Sequence, residues 1–120
     1  MALLYTSDPT RGRIWRAIFA AEAPDVAFFD PSQNYDPDAI RYLAAWAPSA
    51  DLIASLPKLE ILFSIGAGID QFDMGVLPPH IRVVRMIEPG IAAGMVEYAT
   101  MAVLALHRNL IDYRAAQKDA

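Results

Sequence analysis

Short apolar runs recur along this chain, and each is bounded by proline, glycine, serine or aspartate. Such runs are typical of buried strands. They occupy residues 2–5, 25–29, 42–46, 59–64 and 81–87. A polar, proline-bearing stretch at residues 30–38 predicts a loop with at most one helical turn.

Helical patterns alternate with these runs. Ile14, Trp15, Ile18 and Phe19 form i,i+4 pairs, which predicts a helix over residues 10–23 with these side chains on one face. Pro24 ends that helix, and a shorter one is predicted at residues 51–56. Nearly continuous apolar strands that alternate with helices indicate an α/β fold, with a doubly wound parallel sheet of five strands and helices on both faces.

The last element is different, because residues 91–113 contain no proline and carry an apolar stripe at helical spacing. Its members are Met95, Ala99, Ala102, Val103, Leu106 and Leu110. The stripe predicts one helix of roughly 20 residues, longer than average. This helix would pack against this domain or against a neighbouring molecule or domain. Met101, Leu104 and Ala105 lie off the stripe and would be exposed, which predicts self-association.

Composition excludes several classes of function. The chain has 120 residues, of which 55% are hydrophobic, and this suits one domain with a single core. A net charge of −4 without a basic stripe argues against a nucleic-acid partner. The absence of cysteine excludes disulfides and thiolate zinc sites. No signal peptide and no apolar run of about 20 residues was recognised, so we expect a cytoplasmic protein without a membrane partner.

The stretch SIGAGID, residues 64–70, follows the fourth strand and has two of the three glycines of a GxGxxG dinucleotide fingerprint. The third position is Gln71, and Gly75 and Pro78 interrupt the helix that should follow. Glu88 stands where a ribose-binding acid would, but Pro89 bends the chain directly after it. These departures argue against a dinucleotide site.

A smaller anion fits the same loop better. Glycines at the carboxyl end of a parallel strand can direct consecutive backbone N–H groups at the two oxygens of a carboxylate. This explains why a plain Ala67 can lie between Gly66 and Gly68. The alternative, which spacing alone leaves open, is a tight turn in which Asp70 caps the next helix.

Two segments together resemble the D-isomer-specific 2-hydroxyacid dehydrogenases. They are Ser64 to Asp70, which is similar to the family's S-x-G-x-G-x-D loop, and Glu88 to Arg114, which is similar to its D/E-x-G…M-x-E-Y segment and long helix. The resemblance implies a flavodoxin-like substrate-binding domain at residues 1–90. Residues 91–120, a long helix and tail, would then begin a nucleotide-binding domain.

The resemblance also implies a site. Gly66, Ala67 and Gly68 would hold the substrate carboxylate, chiefly through the amides of Ala67 and Gly68, and Trp46 would line the cleft. By composition alone Trp46 is more typical of a core. Pro89 and residues 91–93 differ from the family's usual residues, which leaves the choice of substrate open.

The implied enzyme is an NAD(P)H-dependent reductase that transfers hydride to small 2-oxo acids and works as a homodimer. Its GxGxxG loop and its catalytic arginine, glutamate and histidine would lie beyond residue 120. We therefore expect this chain to hold no catalytic residue, to bind no cofactor and to be inactive alone. The alternative is a free-standing carboxylate-binding or protein-interaction module without catalysis.

Other reactive residues have little support as catalysts or ligands. His80 and His107 share no face and no carboxylate partner, so structural or solvent-facing roles are favoured and no metal site is expected. Ser64 lacks the G-x-S-x-G context of a hydrolase nucleophile.

Overall fold

A computed structural model of the protein describes residues 1–75 and 77–118. Five parallel strands form one sheet in the order β2-β1-β3-β4-β5. They are β1 (Ala2–Thr6), β2 (Ala27–Phe29), β3 (Ile40–Ala45), β4 (Ile61–Ser64) and β5 (Arg82–Val84). The predicted α/β fold with a five-stranded parallel sheet is confirmed, and the strand order is that of flavodoxin-like folds.

The helices are α1 (Pro9–Glu22), α2 (Ala50–Ala54), α3 (Pro89–His107) and α4 (Leu110–Lys118), with a 3-10 turn at Pro37–Ala39. Side chains cap the first two. The carboxylate of Asp8 accepts a hydrogen bond from the Arg11 N–H, and the hydroxyl of Ser49 accepts one from the Leu52 N–H. Each cap satisfies a donor that the first helical turn would otherwise leave unpaired.

The sheet has a core on each face, because successive side chains of a strand point to opposite sides. Ala2 and Leu4 pack with Ile53 of α2 on one face, whereas Leu3 and Tyr5 pack on the other. The second face is covered by α1 through two partly buried side chains, Trp15 and Phe19. Helices therefore lie on both faces of the sheet, as predicted.

The predicted apolar face of α1 is half wrong. Ile14 and Ile18 are 57% and 50% exposed, although they form an i,i+4 pair like Trp15 and Phe19. The two pairs are offset by about 100° around the helix, since an α-helix has 3.6 residues per turn. Only Trp15 and Phe19, on the side of α1 that also carries buried Gly12, face the sheet.

The chain divides into two compact units, Met1–Met86 and a second one that begins at Ile87. The prediction of one helix over residues 91–113 is wrong, because α3 ends at His107 and α4 begins at Leu110. Asn109 between them has φ of 50°, a left-handed conformation that asparagine tolerates at helix ends. The functional division into residues 1–90 and 91–120 stays a prediction, and residues 119 and 120 lie outside the described part.

Apolar side chains of α3 are exposed, and none of its residues is buried. They include Met95, Val96, Met101, Val103, Leu104 and Leu106. With 19 residues and a mean hydropathy of 1.4, α3 is long and apolar enough to cross a membrane by length and composition. On those two measures, the expectation that no run approaches a span is wrong. Core helices of soluble proteins meet the same measures.

Candidate functional site

The glycine-bearing loop lies at the carboxyl edge of the sheet, where β4 ends. Both flanking strands hold it: the Ile65 N–H donates to the Ala45 carbonyl at 3.3 Å, and the Met86 N–H donates to the Gly66 carbonyl at 3.2 Å. Ligands of open α/β sheets bind outside the carboxyl ends of the strands. The sequence therefore places this loop at the edge where such folds carry their sites.

Ser64, the last residue of β4, closes the loop through its buried hydroxyl. This hydroxyl donates to the Gly68 carbonyl at 2.8 Å and accepts from the Gly66 N–H at 3.3 Å. It also accepts from the Gln71 side-chain amide at 3.1 Å. Ser64 thus ties both ends of the loop to one atom. Sequence reasoning counted Ser64 as the first residue of the S-x-G-x-G-x-D loop and rejected it as a nucleophile. It missed this closing role, which a serine at the end of a strand before a glycine loop could have signalled.

The predicted donors are the backbone amides of Ala67 and Gly68. Both residues are exposed, and neither N–H donates a hydrogen bond to any residue that the structure describes. Exposed N–H groups without a protein partner are available to an external acceptor. The binding of a carboxylate by these residues stays a prediction.

Gly66 and Gly68 are glycines for different reasons. A Cβ at residue 66 would lie 2.5 Å from Cζ3 of Trp46, so any side chain there would displace the indole. A Cβ at residue 68 would meet Asp70 at 3.6 Å and Gln71 at 3.9 Å, which is ordinary contact. No described glycine has a positive φ, so the loop does not depend on the left-handed freedom that the sequence argument invoked.

Trp46 follows β3 and is 53% exposed, so it is not a core residue. Tertiary structure brings its indole against Gly66, although the two residues are distant in the chain. A half-exposed tryptophan beside a loop with open amides offers an apolar wall next to polar donors, a combination common in small-molecule sites.

A guanidinium that sequence reasoning missed reaches the same loop. Arg11, in the first turn of α1, donates from Nη1 to the Ile65 carbonyl at 3.4 Å. Nothing in the local sequence indicates this contact, because it spans 54 positions.

Two alternative readings of the loop lose support. No helix forms in the described residues 65–75 and 77–81, so Asp70 caps none and the helix of a dinucleotide fingerprint is missing there. The carboxylate of Glu88 accepts from the Gly90 N–H at 3.1 Å and caps α3.

His80 and His107 are both exposed. Within residues 1–75 and 77–118, no group of three or more histidines or acidic residues is placed to hold a metal ion.

No family model matches the sequence. Curated relatives do match it. A glyoxylate/hydroxypyruvate reductase A from Yersinia enterocolitica is 30% identical over 83 residues, which is 64% of this chain and 26% of that protein. The same enzyme from Serratia proteamaculans has the same identity and coverage. The matched region is thus about a quarter of the length of these relatives.

Solved structures share the fold over 98% of the chain. A D-isomer-specific 2-hydroxyacid dehydrogenase from Xanthobacter autotrophicus Py2, in complex with NADPH and MES, has a TM-score of 0.78 at 25% identity, with 39% of its chain covered. A probable 2-hydroxyacid dehydrogenase from Rhizobium etli CFN 42, in complex with NADP, HEPES and L(+)-tartaric acid, has a TM-score of 0.77 at 25% identity, with 38% covered. These comparisons confirm the resemblance seen in the sequence.

Proposed function

Because this chain is related in sequence and fold to the D-isomer-specific 2-hydroxyacid dehydrogenases, we propose that it is the substrate-binding domain of a reductase of small 2-oxo acids. The substrates would be of the glyoxylate and hydroxypyruvate type, and the products 2-hydroxy acids. The observation that carries the proposal is a pair of exposed residues, Ala67 and Gly68, whose N–H groups have no partner among the described residues, in a loop whose ends are fixed by hydrogen bonds.

The chemistry of the loop suits a carboxylate. Two neighbouring amides can donate to its two oxygens, and hydrogen bonds to an ionised acceptor are stronger than those between neutral groups. The Ser64 hydroxyl holds the Gly68 carbonyl at 2.8 Å, so the loop need not be ordered when ligand binds. Gly66 lets the Trp46 indole come close, and the exposed part of that ring would bound the small acid on one side.

Reduction of a 2-oxo acid also needs a nicotinamide, which supplies the hydride, and a group that protonates the carbonyl oxygen. The glycine loop is not followed by the helix of a dinucleotide fingerprint in the described residues 65–75 and 77–81, so we expect the NAD(P)H site and the catalytic acid in sequence beyond residue 120. This chain would bind and orient the acid, and it would have no reductase activity by itself. We further propose a cytoplasmic homodimer for the complete enzyme.

The second candidate is a module that binds a carboxylate or a protein without catalysis. The exposed apolar side chains of α3 favour it, because an uncovered apolar helix face is typical of an interaction surface. A reading frame that continues past Ala120 into a GxGxxG segment would favour the reductase over this alternative.

The binding proposal is tested by titrating the ¹⁵N-labelled chain with oxamate, an unreactive analogue of a small 2-oxo acid. We expect the amide resonances of Ala67 and Gly68 to shift, whereas the exposed Gly75 amide, which already donates to Asp73 at 3.0 Å, stays unchanged. Oxamide, in which an uncharged amide replaces the carboxylate of oxamate, should produce no shift. The proposal would be contradicted if oxamate left the amide resonances of both Ala67 and Gly68 unchanged.

A Trp46→Ala variant tests the apolar wall. It should weaken oxamate binding, because the ring is half-exposed beside the loop. Trp15 provides the matched control. It is the remaining tryptophan in the Trp46→Ala variant and packs on Tyr5 with ring centroids 5.3 Å apart, so the fluorescence of this variant should not respond to oxamate.

The predicted inactivity has its own test. Turnover of glyoxylate with NADPH by the mass-verified 120-residue chain would contradict it.

A further inference from the structure

We infer that Arg11 is the positioning cation of the carboxylate loop: its guanidinium fixes the Ile65–Gly66 peptide and attracts the anionic end of the ligand. This inference rests on the proposed function. It starts from a contact between two remote parts of the chain, in which Arg11 Nη1 donates to the Ile65 carbonyl at 3.4 Å.

Both partners of this contact are anchored. The backbone N–H of Arg11 donates to the Asp8 carboxylate at 2.6 Å, which fixes the start of the arginine side chain. Ile65 is 6% exposed and packs in the core with Tyr5 and Ala44. The guanidinium therefore meets a carbonyl that the core already holds in place.

The contact orients the peptide that leads into the loop. In a trans peptide the carbonyl and the following N–H point in opposite directions. The Ile65 carbonyl accepts from Arg11 on one side, and the Gly66 N–H donates to the Ser64 hydroxyl at 3.3 Å on the other. A peptide plane held from both sides fixes the start of the loop. The next plane, which carries the Ala67 N–H, is held through the Gly66 carbonyl, which accepts from the Met86 N–H at 3.2 Å.

Charge gives a second reason to assign this role to Arg11. A Cβ at Gly68 would lie 3.6 Å from Oδ2 of Asp70, so a carboxylate bound at this amide would be repelled by an acidic side chain nearby. A cation on the loop offsets that repulsion. Arg11 is exposed, and its side chain makes no other hydrogen bond to the described residues, which leaves most of its five N–H donors available.

The test measures oxamate affinity from the Ala67 and Gly68 amide shifts in the wild-type chain and three variants. Arg11→Ala removes both charge and contact. Arg11→Lys retains the charge but loses the planar guanidinium. Arg13→Ala is the matched control, because this exposed arginine lies two positions on and its guanidinium donates to the Thr10 hydroxyl at 3.2 Å.

We expect Arg11→Ala to weaken oxamate binding about threefold to fivefold, in the upper part of the range of an exposed charge interaction. Arg11→Lys should recover part of that loss, and Arg13→Ala should bind like wild type. Raising the salt from about 20 mM to about 200 mM should weaken wild-type binding more than binding to Arg11→Ala, because salt screens exposed charges. A merely structural arginine would not change this salt dependence.

The outcomes separate the two proposals. Wild-type chain that shows no loop shifts with oxamate overturns the carboxylate site and this inference with it. Wild-type binding that Arg11→Ala leaves unchanged in both affinity and salt dependence overturns the role of Arg11 alone. Should Arg11→Ala fail to fold, the charge-neutral Arg11→Gln takes its place: weaker binding and a smaller salt dependence than wild type would support the role of Arg11, and wild-type values of both would overturn it.

Discussion

The indole of Trp46 lies so close to the backbone of Gly66 that a Cβ on residue 66 would stand 2.5 Å from Cζ3 and 3.3 Å from Cε3. A side chain at residue 66 would therefore require the indole to shift, whereas the backbone angles of Gly66 do not call for glycine. The other glycine of the loop, Gly68, has no such steric need within this chain, which leaves space beside its exposed amide.

Gly66→Ala should lower the free energy of unfolding by about 1–3 kcal/mol, because the new methyl group overpacks against Trp46. Urea unfolding, with tryptophan fluorescence, measures the loss. Gly68→Ala is the control and should remain within about 0.5 kcal/mol of wild type. In the Trp46→Ala background, Gly66→Ala should lower the free energy of unfolding much less, because the indole that it overpacks is gone. Losses that simply add would show that the two residues do not interact.

Ser64→Ala should also destabilise the chain, by about 1–3 kcal/mol, because it leaves the Gly66 N–H without its partner and removes the donor to the Gly68 carbonyl. The Ser64 side chain is buried, and its residue is 4% exposed. Ser55→Ala, at an exposed hydroxyl, is the matched control with an expected change below about 0.5 kcal/mol. Equal effects of both variants in thermal unfolding would argue against the closing role of Ser64.

Asp30 should make stability depend on pH. Hydrogen bonds from the Ser32 hydroxyl, at 2.5 Å, and the Ser32 N–H, at 2.9 Å, lower the pKa of Asp30, and the charge of Arg16 lowers it further. The folded state thus favours the ionised form. The stabilisation is complete above the ordinary pKa of about 4 and is lost as the pH falls through the lowered folded pKa.

The Asp30 titration is measured by following its carboxyl carbon in NMR spectra. Ser32→Ala should raise the pKa of Asp30 towards its ordinary value, and it should do so more than Arg16→Ala, because the bonds from Ser32 are the larger cause. Asp30→Asn should remove this part of the pH dependence of unfolding. If Ser32→Ala left the pKa of Asp30 unchanged, the Ser32 hydroxyl would not be the main cause of the lowered pKa.

The groove between α3 and α4 should make the chain self-associate. Apolar side chains line it, among them Val96, Met101, Leu104 and Leu110. Gel filtration should give an apparent mass above the 13.2 kDa of one chain, and Leu104→Glu should shift it towards the monomer. Ile18→Glu, at an apolar residue of α1 that is 50% exposed, serves as the control and should not change the elution.

A strict monomer at high concentration would contradict the self-association. Co-sedimentation of the wild-type chain with lipid vesicles, abolished by Leu104→Glu, would instead assign the apolar helix to a membrane surface.

The pattern of apolar residues predicted the strands well and the helix ends less well. The alternation of runs and helices was enough for five parallel strands, because strands buried on both faces read as continuous apolar runs. The break between α3 and α4 was missed because the prediction relied on the absence of proline. Asn109 ends the helix by another means, its left-handed conformation.

The candidate site was predicted in part. The glycine loop could be found from its glycines after an apolar strand, and the structure leaves the two predicted amides exposed. Its role in binding stays a prediction. Ser64 was missed as a loop anchor although its place at the end of a strand before the glycines could have signalled it. Arg11 was missed because its contact with Ile65 spans 54 positions and has no local signature.

By itself, the sequence determined the local features of this protein: which segments are strands, where α1 and α2 begin, and which loop carries adjacent glycines. These follow from side-chain periodicity and capping, which act over a few residues. Only the tertiary structure decided that Arg11 reaches Ile65 and that Trp46 lies on Gly66. Such contacts depend on the strand order, which places β3 and β4 side by side and brings their carboxyl ends to one edge of the sheet.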